Sequence, residues 1–219
     1  MIKIKTFTFN PFLENTIVLW SDTNKEGFVF DPGMSNEIEE NEFKAFIAKE
    51  KIEIKKMINT HCHIDHILGC NFIKNNYDTE FLIPEKDLLL LEHYDRQMEM
   101  VGITMEKPPR PDKLINENEK LALNDCEIKP LFTPGHSPGE MCFLIGSENI
   151  CITGDVLFKG SIGRTDLWGS NTEALFESIK NKLMILDNNI SIYPGHGETS
   201  TIGEEKSSNP FLLELISKN

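Results

Sequence analysis

Lys56-Met57-Ile58-Asn59-Thr60-His61-Cys62-His63-Ile64-Asp65-His66 is the run whose reading decides the fold. Lys56 to Asn59, through apolar Met57 and Ile58, reads as a strand that delivers Thr60 and three histidines at its C-terminal end. Imidazole nitrogen and carboxylate oxygen in one short loop are the donors expected for zinc or another first-row divalent ion. Taken alone the run is a weak signal, because a single histidine is more often a packed or surface residue. Three later positions strengthen it: His136 follows Thr133-Pro134-Gly135, Asp155 follows Thr153-Gly154, and His196 follows Pro194-Gly195. A glycine before each lets the backbone turn sharply and present the next side chain. These five histidines and two aspartates exceed what one tetrahedral ion needs. They suit two ions sharing a bridging carboxylate.

The flanking sequence supplies strands and helices in alternation. Residues 1–9 and 15–20 read as strands around a turn at Asn10-Pro11, and 27–31 as a strand stopped by Pro32-Gly33. Ile38, Phe43, Phe46 and Ile47 place a helix over 35–50. A helix over 66–76 and a strand over 80–83 follow the histidine cluster. Residues 85–117 read as a long surface excursion: Leu88 to Leu91 can end a helix, but Met98 to Ile115 hold three prolines. A strand over 127–133, a hairpin of 141–145 with 150–153, a helix over 172–187 and a strand over 190–193 come next. Leu175, Ile179 and Leu183 stand at four-residue spacing within that helix. Pro210 opens a last helix with the apolar stripe Phe211, Leu212, Leu215 and Ile216. The pattern predicts a single α/β domain over 1–219, with two sheets and helices on their outer faces.

Composition restricts the partners. Acidic residues number 35 against 22 basic, a formal charge of -13 in 219 residues. That balance disfavours nucleic acid and anionic lipid. It still allows an anionic small substrate, because a bound cation reverses the sign locally. The absence of an apolar run of membrane-spanning length argues against a membrane protein. No signal-peptide pattern and no CxxC are present, so a reducing, cytoplasmic setting is expected.

The ligand inventory resembles the metallo-beta-lactamase superfamily. Four further segments narrow the likeness: Thr133-Pro134-Gly135-His136-Ser137-Pro138-Gly139, Thr153-Gly154-Asp155-Val156-Leu157-Phe158, Gly163-Arg164-Thr165-Asp166 and Pro194-Gly195-His196-Gly197-Glu198-Thr199-Ser200. Together they resemble a compact form of the hydroxyacylglutathione hydrolase-like, or glyoxalase II-like, branch. The likeness covers most of 8–213 and is weakest across 90–125. It implies a four-layer αβ/βα sandwich and a metal-dependent hydrolase with two divalent ions, zinc first, with iron and manganese open. By family position His61, His63 and His136 hold one ion, Asp65, His66 and His196 the other, and Asp155 bridges. The implied reaction is hydrolysis of a thioester such as S-D-lactoylglutathione, with Asp65 also orienting the nucleophile.

The departures from the branch bear on substrate. Asp166 stands where a tyrosine region is expected, and the stretch after Pro210 is too short for the basic helical extension that holds glutathione. A substrate other than a glutathione conjugate is therefore open. The same ligand frame also fits a mononuclear iron persulfide dioxygenase using His61, His136 and Asp155, and a lactonase or other esterase. An inert metal-binding structural protein is disfavoured, since no ligand position is missing. Arg164 is the candidate catalytic anion contact, with an ion pair to Asp166 as the alternative. Trp168 either walls a pocket or packs, and Tyr94 and Tyr193 are possible oxyanion donors. Cys62 is expected to pack, as are Cys142 and Cys151. Asp31 either braces the site or closes an ordinary turn, and Asn59-Thr60 anchors the metal loop. His93 lies outside the site.

Overall fold

The structure, a computed structural model, describes residues 1–217, with side chains through Glu214. It divides into two compact units. The first comprises 1–115 with 122–126, and the second 116–121 with 127 onward.

The first unit is built on the sheet β1-β2-β3-β4-β5-β6. Strands β1 (Ile2–Phe9), β2 (Glu14–Ser21) and β3 (Glu26–Phe30) form an antiparallel meander. Helix α1 (Glu37–Glu50) crosses to β4 (Glu53–Ile58), which lies parallel to β3. Asn36 starts α1 by accepting the Ile38 and Glu39 amides, and Lys51 ends it in the left-handed region. Helix α2 (Cys70–Asn76) leads to β5 (Glu80–Pro84), parallel to β4. Helices α3 (Leu88–Glu92) and α4 (Tyr94–Val101) precede β6 (Lys113–Ile115), which extends the sheet in parallel. Phe43, Ile47, Phe72 and Ile73 pack with Phe7, Trp20, Val29 and Met57 into one apolar core.

The second sheet runs β14-β13-β10-β9-β8-β7. Its strands begin with β7 (Leu121–Leu123), β8 (Cys126–Phe132), β9 (Met141–Ile145) and β10 (Ile150–Gly154). β11 (Leu157–Phe158) and β12 (Ser161–Ile162) make a separate small hairpin. Helix α5 (Thr172–Ser178) precedes β13 (Ser191–Pro194) and β14 (Ser200–Thr201), then α6 (Ile202–Ser208) and α7 (Pro210–Ser217) close the described chain. Leu175, Ile179, Leu183, Ile192, Ile202 and Leu212 form this unit's core. Leu215 and Ile216 of the expected terminal stripe lie outside the described side chains.

Several boundaries differ from expectation for local reasons. The helix expected over 66–76 is a 3-10 turn at Ile64–His66, and α2 starts only at Cys70. Gly69 intervenes, held by its amide to the Pro32 carbonyl at 2.7 Å. The helix expected over 172–187 gives way after Ser178 to a π-helical turn, Ile179–Leu183. Its three spaced apolar residues are all fully buried. The stretch 85–117 is more ordered than a surface excursion. The Gln97 amide, on α4, is buried and donates to the carbonyls of Cys62 and Leu90 at 3.0 and 2.9 Å. Asp112 accepts the Phe81 amide at 2.8 Å and pairs with Lys74, fixing the approach to β6. No described helix is long and apolar enough to cross a membrane.

Candidate metal centre

Strand direction decides where the donors fall. In the first unit, β4 ends at Ile58 and the chain enters the loop carrying His61, His63, Asp65 and His66. In the second, β8 and β10 are each antiparallel to β9, and β10 is parallel to β13. Strands β8, β10 and β13 therefore all finish at one edge of their sheet. His136, Asp155 and His196 follow those three ends. Gly135 has φ 145° and Gly154 φ 49°, conformations that favour glycine at both turns. The Gly195 amide donates to the Gly154 carbonyl at 2.8 Å, tying the Asp155 and His196 turns together.

Within the first unit the three imidazoles cluster closely. Ring centroids of His61 lie 4.9 Å from His63 and 4.1 Å from His66. Hydrogen bonding fixes the tautomer of His61. Thr60 Oγ1 donates its single proton to Asp31 Oδ2 at 2.7 Å, so at 3.0 Å it accepts from His61 Nδ1–H. His61 Nε2 then carries the lone pair. Asp31 Oδ1 also accepts the Thr60 amide at 2.7 Å, and Oδ2 lies 3.3 Å from His66 Nδ1. A carboxylate behind an imidazole in this manner orients the ring and raises its basicity. Asp65 Oδ2 stands 3.7 Å from His66 Nε2.

The loop is held from several sides. Asn59 Nδ2 donates to the His66 carbonyl at 2.6 Å, and Asn10 Nδ2 to the Asp65 carbonyl at 3.0 Å. The Cys62 amide donates to buried Asp87 at 3.0 Å, while its thiol is buried in the core, which pushes its pKa up. Cys62 is a packed residue, as expected if its side chain faces away from the histidines on either side. Glu14 is fully buried, with Oε1 4.0 Å from His66 Nδ1. Desolvation is the main reason its pKa is raised well above the usual carboxylate range, against the pull of His66.

The second unit shows the same logic. His136 Nδ1 lies 2.8 Å from the Arg164 carbonyl, which can only accept, so Nδ1 carries the proton and Nε2 the lone pair. That Nε2 faces Asp155 Oδ2 at 3.4 Å, and His196 Nε2 faces the same oxygen at 3.6 Å. A lone pair turned toward a carboxylate oxygen is an arrangement that a cation relieves. This donor set therefore fits a divalent ion. Buried Glu140 accepts the Asp155 amide at 2.7 Å and fixes that turn.

Arg164 spends its guanidinium on Asp166, with Nε and Nη2 donating to the two carboxylate oxygens at 2.6 and 2.8 Å. The pair is exposed, and Arg164 holds the Asp166 pKa down to about 2. It is the Arg164 backbone carbonyl that contacts His136. Trp168 is exposed, Tyr94 packs against the first unit's core, and burial pushes the Tyr193 phenol up. Sequence reading missed Asn10, Glu14, Asp87 and Glu140. Asn10 sits at a turn with φ 52°, and the acids carry no spacing signal.

A model of the metallo-beta-lactamase superfamily matches residues 9–196. The chain belongs to the metallo-beta-lactamase superfamily. Its fold is the α/β fold of that family, and it is a metallo-hydrolase with histidine and aspartate clusters suited to divalent metal. It is 35% identical to hydroxyacylglutathione hydrolase GloC of Haemophilus influenzae over 96% of this chain and 98% of that one. It is similar to the BLEG-1 B3 metallo-beta-lactamase, with TM-score 0.88 and 29% identity over 96% of this chain and 99% of that one. A second solved structure, TTHA1623 in a di-iron-bound form, matches with TM-score 0.84 and 32% identity over 95% of this chain and 100% of that one.

Proposed function

We propose that this superfamily member is a dinuclear thioester hydrolase in which 1–219 acts as one catalytic domain, both units supplying ligands. His61, His63 and His136 would hold one ion, Asp65, His66 and His196 the second, and Asp155 would be shared. Within the first unit His61, His63 and His66 cluster, and within the second His136 and His196 both face Asp155 Oδ2, which supports this assignment. The observation that carries the reading is the tying of Nδ1 in His61 and His136. Two histidines from separate parts of the chain are each locked with Nε2 as the donor.

When bound, the two ions supply Lewis acidity and lower the pKa of water towards neutrality. The chain's own residues do the rest. Asp65, with one edge open to solvent, orients the attacking water and accepts its proton. Asp31 and Thr60 keep the imidazoles in register. Zinc is the first expectation from the donor types, and the di-iron form of one relative keeps iron in view. The similarity to the Haemophilus hydrolase makes a hydroxyacylglutathione the first substrate to try.

The test is metal titration of chelator-free protein, read against hydrolysis of S-D-lactoylglutathione and a panel of other thioesters and lactones. Two ions per chain with thioester turnover is the expected result. One ion per chain with no thioester hydrolysis at any loading would overturn the proposal.

A further inference from the structure

The first unit contains a groove of about 580 Å³ that no part of the metal centre uses. That volume is in the range of small-molecule sites, about 300–1,000 Å³. Part of its lining adjoins the candidate metal loop in the chain. Leu68 lies two residues beyond His66, and Met34 packs against Gly69, where an added Cβ would meet its sulfur at 2.0 Å. Pro11 follows Asn10, whose amide holds the Asp65 carbonyl. Residues 103–106, the segment after α4, also line it.

The lining has a definite chemistry. Met34, Leu68, Phe72 and Ile103 provide an apolar floor. Asn71 and Asn75, one turn apart on α2, and Thr104 provide neutral hydrogen-bonding groups. Asn71 spends its NH2 on the Lys107 carbonyl at 2.8 Å, which leaves its oxygen as an acceptor. Among the described residues, the exposed Asn75 amide has no side-chain or backbone partner. The charged lining residues are Glu40 and Glu106, with no lysine or arginine among them. Lys44 stacks over Phe72 at 4.8 Å but does not line the groove.

Resting on the thioesterase reading, we propose that this groove binds the thiol arm of the substrate, and that the arm is an uncharged, amide-bearing chain of the pantetheine type. Its methylenes match the apolar floor. Its amides pair with the Asn71 oxygen and with Asn75 and Thr104, which both donate and accept. A glutathione arm would bring two carboxylates to a wall holding Glu40 and Glu106 and no base. The groove therefore selects against the glutathione arm.

The test is calorimetric binding of two thioethers that cannot be hydrolysed, S-methylpantetheine and S-methylglutathione, to the metal-loaded full chain. The expected result is at least tenfold tighter binding of S-methylpantetheine. Asn75→Ala combined with Thr104→Ala, both exposed and tolerable to the fold, is expected to weaken it at least fivefold. Glu106→Lys is expected to strengthen S-methylglutathione binding. Tighter binding of S-methylglutathione by the unaltered chain, no binding of either probe, or indifference to the double variant would each overturn the groove assignment. Because binding is read without turnover, selective S-methylpantetheine binding by a chain that hydrolyses no thioester would sink only the thioesterase reading.

Discussion

Glu14 is a buried neighbour of His66 in the candidate centre. Thr16 Oγ1 has one proton and three neighbours: it accepts the Gly33 amide at 2.8 Å, donates to the Asp31 carbonyl at 2.9 Å, and lies 3.0 Å from Glu14 Oε2. With its proton given to Asp31, the hydroxyl suits a Glu14 that donates, in keeping with a carboxyl driven toward its neutral form by burial. The space beside it is full, since a Cβ on Gly33 would stand 1.8 Å from Glu14 Oε2. Glu14→Gln preserves shape and a donor, so it is expected to keep metal affinity within a few-fold. Glu14→Ala releases His66 and is expected to weaken binding of the Asp65–His66–His196 ion by about 10–100-fold. Metal competition titration checks this, and an alanine variant that keeps both ions at full affinity would count against a supporting role. The histidines and aspartates stand out in the sequence because metal chemistry restricts donor types. Glu14, Asp87 and Glu140 do not, because a buried acid is indistinguishable in sequence from a solvated one until its neighbours are known.

At the scale of elements, the strands were read well because apolar runs ending in glycine or proline mark where each must stop. β4, β8, β10 and β13 all end within a residue or so of the expected place, and the candidate ligands follow these ends. The stretch after β5 was read poorly for the opposite reason. Helix α4 is short and polar, and it is held by Gln97 reaching back to Cys62, a contact between distant positions that no local pattern records. The β11–β12 hairpin was also missed, being only two residues per strand. Yet it sets up a tight contact, because a Cβ on Gly163 would lie 1.9 Å from the Asp155 carbonyl and 3.1 Å from His136 Cβ. The nearer neighbour is backbone and cannot rotate away. Gly163→Ala is therefore expected to cost about 1–3 kcal/mol. At roughly 2–4 °C per kcal/mol for a chain this size, the melting temperature should fall by about 2–12 °C. The displaced Asp155 and His136 should also lose metal. Gly146→Ala is the matched control, since nothing stands within 4 Å of its added Cβ, and it should melt near the wild-type temperature. Equal melting and equal metal content in the two variants would contradict the packing argument.

For the whole molecule, the proposed centre predicts that metal and stability are linked. The unfolded chain has no preformed ligand set, so an ion that binds only the folded state stabilises it by an amount that grows with free metal. At a free concentration of 100 times Kd, one site contributes about 2.7 kcal/mol. For a chain of 219 residues that corresponds to roughly 5–11 °C in melting temperature. Because His61, His63, Asp65 and His66 come from one unit and His136, Asp155 and His196 from the other, both units should share this gain. Chelation should therefore lower the melting of both in a single calorimetric transition. His196→Ala should lose only the part of the increment due to its own ion. His136→Ala should lose the part due to the other. Asp155→Ala, removing the shared carboxylate, should lose more than either. If chelation shifted the melting of one unit and left the other unchanged, or if all three variants melted like the loaded wild type, ligands drawn from both units would not be holding a common pair of ions.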